Sequence, residues 1–147
     1  MASVSELYLV DSSVLLRAII EGSPAARKWF EGMDAGSMVA SKLLEVECRR
    51  VLLNRAILAG GPDVPVDPSP FLDRIALVDV SDSVLRQAGR VRAVVKSADA
   101  IHLATALELA PDPVTVATHD VQMSSAALAL GLAVFDPVTD DPRARGA

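Results

Sequence analysis

The chain is poor in several things at once. Cys48 is its only cysteine, so no internal disulfide can form and a cysteine-rich zinc site is excluded. Aromatic residues make up 3% of the 147 positions, so a core has to come from Ala, Val and Leu rather than stacked rings. Lysine occurs only at positions 28, 42 and 96. No uninterrupted apolar run approaches the ~18 residues a membrane span needs. The N-terminus has no basic region ahead of an apolar stretch, so it does not read as a secretory leader. The expectation is an intracellular, cytoplasmic protein. A positive excess is also missing: net charge is −5 and the pI is about 4.9. A protein that coats nucleic acid usually shows a basic face. Any such contact here needs a local patch, a bound metal or a partner.

What is present is a hydrophobic fraction of 51% in a length that suits one compact domain. Five short apolar runs read as strands: residues 6–10, 37–40, 75–80, 114–117 and 132–135. Between them lie helical patterns. Ser12 or Ser13 caps the first, which Gly22 ends. Pro24 opens the second, carrying Trp29, Phe30 and Met33, and Gly36 breaks it. Ser41 caps a long third helix to Leu58. Residues 60–70, opened by Gly60-Gly61-Pro62, read as a loop rich in Pro and Asp. Ser81 or Asp82 starts a helix carrying Val84, Leu85, Ala88, Val91 and Val95. Ser97 caps a helix to Leu109, ended by Pro111 and Pro113. A last helix runs from Asp120 or Val121 to near Gly131. Residues 142–147 read as a frayed tail. Strands alternating with helices predict an α/β domain with a mainly parallel sheet flanked by helices. Its core spans about 6–137, with a C-terminal tail at 138–147.

Four acids stand out against this frame: Asp11, Glu45, Asp99 and Asp120. Asp11 closes the first strand, and Asp120 follows the fourth by way of Thr118-His119. Asp99 lies in the first turn of a helix, and Glu45 is one turn into another. In a parallel sheet the strand C-termini and the helix starts that follow share one edge. Each acid taken alone also has an ordinary structural role. Asp11 and Asp120 suit helix caps, Asp99 suits the helix dipole, and Glu45 suits a pair with Arg49 four residues on. Gathered at one edge, they conflict: two like charges ~4 Å apart cost about 4 kcal/mol at an effective dielectric near 20. A divalent cation relieves that conflict, and oxygen-only ligands point to magnesium or manganese. Ser12 and Thr118 are candidates for holding a ligating carboxylate in place. His102, one turn after Asp99, either bonds that acid or packs in the core. His119 either meets substrate or is solvated. Arg17, Lys42, Arg49 and Lys96 lie near these acids in sequence and are candidate phosphate contacts.

The motifs resemble those of PIN-domain proteins. Tyr8-Leu9-Val10-Asp11-Ser12-Ser13 is similar to the family's opening motif and Ser41-Lys42-Leu43-Leu44-Glu45 to its second. Ser97-Ala98-Asp99-Ala100-Ile101-His102 is similar to the third, the most specific, and Thr118-His119-Asp120 to the fourth. The resemblance runs from about Leu7 to Pro137. Size and layout look like the toxin component of VapBC toxin–antitoxin systems. That resemblance implies a ribonuclease dependent on magnesium or manganese, cutting RNA such as tRNA or ribosomal RNA. It implies Asp11, Glu45, Asp99 and Asp120 as catalytic metal ligands, a homodimer, and a cognate antitoxin that occupies a hydrophobic groove. Trp29 belongs either to the core or to that groove. His119 and Asp136 match no catalytic position. The alternative is a PIN-like scaffold that binds RNA or protein without cutting. A metal-dependent adhesion motif fits poorly because Leu15 stands where a ligand is needed. An aspartyl-phosphate enzyme fits poorly because Lys96 does not follow a strand.

Overall fold

The computed structural model describes residues 6–20, 23–60, 65–109 and 112–140. The breaks expected at Gly22, Gly61-Pro62 and Pro111, and the tail at 142–147, lie outside the described residues. The strands are β1 (Leu7–Val10), β2 (Met38–Ser41), β3 (Ala76–Val78), β4 (Val114–Ala117) and β5 (Ala133–Phe135). The helices are α1 (Ser12–Ile19), α2 (Pro24–Glu31), α3 (Leu43–Leu58), α4 (Ser69–Leu72), α5 (Asp82–Ala88), α6 (Ser97–Glu108) and α7 (Val121–Ala129). All strand pairs are parallel, in the order β3-β2-β1-β4-β5.

Period-2 alternation splits the strand side chains between two cores. Val10, Met38, Ala40 and Ala117 face one side, where α1, α2, α3 and α4 supply Leu15, Phe30, Leu44 and Leu72. Leu9, Val39, Val114 and Val116 face the other, where α6 and α7 supply Leu103, Met123 and Ala127. Helices therefore cover both faces, as the near-continuous apolar strands require. Trp29 is 1% exposed and packs between Tyr8 and Phe135, with ring centroids 5.5 and 5.9 Å away. Of its two expected places it occupies the core.

Side-chain caps mark three of the helix starts, those of α2, α5 and α7. Ser81 Oγ accepts from Val84 N at 3.1 Å, and Ser23 Oγ accepts from Ala26 N at 3.4 Å. Gly131, at φ +81°, turns the chain out of α7. Several expectations are corrected. Residues 69–72 form α4 inside the stretch read as loop, with Pro70 in its first turn and Leu72 buried. The helix after β3 ends at Ala88, and Val91 and Val95 reach the core from the segment that follows. Ser97 begins α6 rather than capping it, Ser12 and Ser13 lie inside α1, and Ser41 ends β2 one residue ahead of Lys42, where α3 is entered. Among the described residues no helix is long and apolar enough to cross a membrane.

The strand order fixes where a ligand can sit. From β1 the chain moves one way through β2 and β3, then reappears on the opposite side of β1 as β4 and β5. The switch point therefore falls between β1 and β4, and a crevice opens beyond their carboxyl ends. Asp11 follows β1 and Thr118-His119-Asp120 follows β4.

Candidate active site at the carboxyl edge of the sheet

Asp11 is 3% exposed and stands as the residue before α1, yet its side chain makes no cap hydrogen bond. Instead Ser13 Oγ donates to Asp11 Oδ2 at 2.8 Å, and Thr118 Oγ1 donates to the same oxygen at 2.9 Å. The two hydroxyls lie 3.3 Å apart. His119 N donates to Ser13 Oγ, and Asp120 N donates to Thr118 Oγ1, both at 3.0 Å. The loops after β1 and β4 are thus stitched together across the switch point. The other oxygen, Asp11 Oδ1, is buried without a hydrogen-bond partner. A buried carboxylate oxygen left unpaired is costly unless something else takes it. Of the two hydroxyls expected beside a carboxylate, that of Thr118 bonds Asp11, and Ser13 rather than Ser12 supplies the other.

Asp120 caps α7 through Oδ1, accepting from Gln122 N at 2.8 Å and Met123 N at 3.1 Å. Asp99 stands in the first turn of α6. Burial, then the Asp11 carboxylate, raise the Asp99 pKa above its ordinary value; His102 opposes this, and Asp120 and Glu47 add to it. Asp99 therefore feels all three other acids at once.

Glu45 is not among them. Its Oε1 accepts from Arg49 Nε at 3.2 Å, one turn along α3. The acid that α3 brings to the site is Glu47, which pairs with the fully buried His102. Two residues on a helix point about 200° apart, so Glu45 and Glu47 cannot share a side. The assignment of Glu45 to the cluster is corrected to Glu47 on that ground. Sequence offered one usable signal: Glu45 already has an arginine at i+4, the mark of a solvated pair, whereas position 51, four after Glu47, is valine.

Burial lowers the His102 pKa, but the Glu47 hydrogen bond and the charges of Glu47, Asp11 and Asp99 outweigh it and raise the imidazole above its ordinary value. His102 is thus a core residue, as one expectation had it, and a counter-charge to the acids. Its polar partner is Glu47 rather than Asp99. Next to it, burial and the charges of Glu47 and Asp11 push the Cys48 thiol up to about 12, leaving it neutral. His119 Nδ1 lies 2.9 Å from Asp136 Oδ2, a pair that no motif announced.

Asp11, Glu47, Asp99 and Asp120 thus share one rim, with His102 as a counter-charge. Among the described residues no three Asp, Glu, His or Cys side chains close into a metal-holding group. The rim is an open arrangement of oxygen donors. That form suits magnesium, which keeps several waters and takes only one or two carboxylates directly, and the unpartnered Asp11 Oδ1 suits a cation ligand.

Comparison with known proteins follows the same outline. The family model described as the PIN domain matches residues 8–128. The chain is 32% identical over 136 residues to Ribonuclease VapC46 of Mycobacterium tuberculosis, covering 91% of this chain and 99% of that protein. Among solved structures, a toxin-antitoxin complex from Klebsiella pneumoniae matches at TM-score 0.60 and 18% identity, over 88% of this chain and 97% of that one. Mycobacterium tuberculosis VapC20, a Sarcin-Ricin loop cleaving toxin, matches at TM-score 0.60 and 17% identity, over 81% and 94%.

Proposed function

The chain belongs to the PIN-domain family, and from that premise we propose that it is an endoribonuclease dependent on magnesium or manganese, the toxin of a toxin–antitoxin pair. The observation that carries the reading is the rim itself: four acids at the switch point, with Asp11 Oδ1 buried and unpartnered at its centre. Its relative VapC46 is a ribonuclease, and VapC20 is a Sarcin-Ricin loop cleaving toxin.

Asp11 and Asp99 are the proposed direct metal ligands, with Asp120 and, in place of Glu45, Glu47 reaching the ion through water. A bound divalent cation would lower the pKa of a water and offset charge on the phosphate. The protein's own residues set the stage for that chemistry. Ser13 and Thr118 hold Asp11 Oδ2, so that Oδ1 keeps one direction. His102 holds Glu47 against the rim. Asp120, with Oδ1 committed to α7, keeps a fixed position. Water adds to phosphorus as the bond to the 3′ oxygen breaks, leaving 5′-phosphate and 3′-hydroxyl ends.

The partners proposed are an RNA substrate, a second copy of the chain and a cognate antitoxin protein. Val46, Ile57 and Leu58 are exposed along α3 and support an apolar contact there. The test is cleavage of total bacterial RNA by the purified chain, with manganese, magnesium and EDTA in parallel and Asp99→Asn as control. Discrete cuts that need both metal and Asp99 are expected. Folded protein that binds manganese and cuts nothing would favour the non-cutting scaffold.

A further inference from the structure

One basic stretch of this acidic chain lies beside a cavity. From Arg86 to Lys96 it holds Arg86, Arg90, Arg92 and Lys96 and no Asp or Glu, in a protein of net charge −5. Arg86, Arg90 and Arg92 line a cavity of about 620 Å³ between the C-terminal ends of α5, α6 and α7. None of the three forms an ion pair among the described residues. Among the described residues the one acid on the wall is Glu108, which accepts from Ser83 Oγ at 2.6 Å. Three guanidiniums therefore face one carboxylate that a hydroxyl already engages.

The position of this cavity matters as much as its charge. Asp99 and Glu108 stand at opposite ends of α6, nine residues or ~14 Å apart at 1.5 Å per residue. The segment that carries Arg90, Arg92 and Lys96 runs from the cavity back to the start of α6. Midway, Gln122 Nε2 donates to Val94 O at 3.1 Å, tying the segment to the first turn of α7 beside Asp120. The basic stretch thus begins in the cavity and ends at the acid rim.

We propose that the Arg86, Arg90 and Arg92 cavity grips phosphates of the single-stranded RNA whose scissile bond lies at the rim. This rests on the ribonuclease reading above. Guanidinium forks match phosphate geometry, and a positive groove leading to a reaction centre is how proteins track an unpaired strand. An acidic peptide would find the same charge in the cavity, but it would gain nothing from continuity with a rim of carboxylates. The grip also answers an electrostatic difficulty, since an acid rim in an acidic protein repels RNA unless positive charge meets the strand nearby.

The test compares wild type with the Arg86→Gln, Arg90→Gln, Arg92→Gln triple variant. Binding of a fluorescein-labelled mixed-sequence single-stranded RNA is followed by anisotropy in EDTA, across a range of KCl. Losing three phosphate contacts should reduce the slope of log affinity against log salt by about 2, at ~0.7 per contact for single strands. With manganese, KM for RNA cleavage should rise ~10-fold or more while kcat holds, since the arginines do not touch the reacting atoms. The matching triple Arg→Lys variant, which keeps the charge, should retain most of the affinity. Arg55→Gln, a charge loss elsewhere on the surface, should change neither quantity. An unchanged slope and KM in the triple Gln variant, with wild type cutting normally, would overturn the grip and leave the ribonuclease reading standing. A variant that keeps RNA affinity but loses binding to poly-glutamate would assign the cavity to an acidic protein and overturn the proposal. Wild type that neither binds nor cuts RNA would remove both readings together.

Discussion

The acid rim and the basic stretch beside it are built in opposite ways. Rim groups are tied down: buried Asp11 by two hydroxyls, half-buried Glu47 by His102, and exposed Asp120 by its cap. Arg86, Arg90 and Arg92 are exposed and form no ion pairs among the described residues. A fold that spends stability to crowd like charges at one edge is preparing that edge for something that needs fixed geometry. Long cations left in solvent suit a looser task, holding a flexible polymer. The difference teaches that changes at the rim should act on the chemical step, and changes in the stretch on binding.

The largest effects should follow from the rim. Asp11→Asn or Asp99→Asn is expected to lower kcat by about 10²–10³-fold or more, as loss of an electrostatic anchor at a reaction centre does. RNA affinity in EDTA should not fall. Next come the hydroxyls that hold Asp11. Thr118→Val and Ser13→Ala should each lower activity or metal affinity by roughly 10–100-fold, read by manganese titration, while Ser12→Ala should leave both near wild type. A fall in RNA affinity with kcat intact in any of these would break the contrast between rim and stretch.

Stability should move the other way. In metal-free protein, Asp99→Asn removes a charge that burial and the neighbouring carboxylates disfavour, so the thermal midpoint should rise. Because the Asp99 pKa is raised on folding, its contribution is fully present below the ordinary carboxylate value and is lost as pH rises through the raised one. The gap in midpoint between variant and wild type should therefore be open at neutral pH and close on acidification, by thermal melts in EDTA. A variant less stable than wild type at neutral pH would show that the rim is not under repulsion. The smallest effect concerns Cys48. Its buried, neutral thiol should resist iodoacetamide at pH 8 in the native state and react once unfolded.

The architecture was largely legible, because buried parallel strands write themselves as short apolar runs and the helices between them as periodic ones. The failures came where period carries no information. Helix α4 is a single turn, too short to display a repeat, and its prolines suggested a loop. Val91 and Val95 keep helical spacing although the chain has left the helix, since both still have to reach the core. Asp11, Asp99 and Asp120 were legible as residues that the topology sends to one edge. Glu45 and Glu47 flank the same buried stripe of α3, and only packing against α6 decides which flank faces the rim. Ser12 and Ser13 differ in the same way. The His119–Asp136 pair joins loops 17 positions apart, for which neither spacing nor motif gave a sign.

The most direct measurement sets Glu47→Gln against Glu45→Gln in manganese-dependent RNA cleavage, with circular dichroism to verify the fold. The rim described here predicts that Glu47→Gln loses most of its activity while Glu45→Gln, which gives up only an exposed pair with Arg49, stays near wild type. Loss of activity in Glu45→Gln with Glu47→Gln intact would contradict this account, because the reaction centre would then lie on the other side of α3.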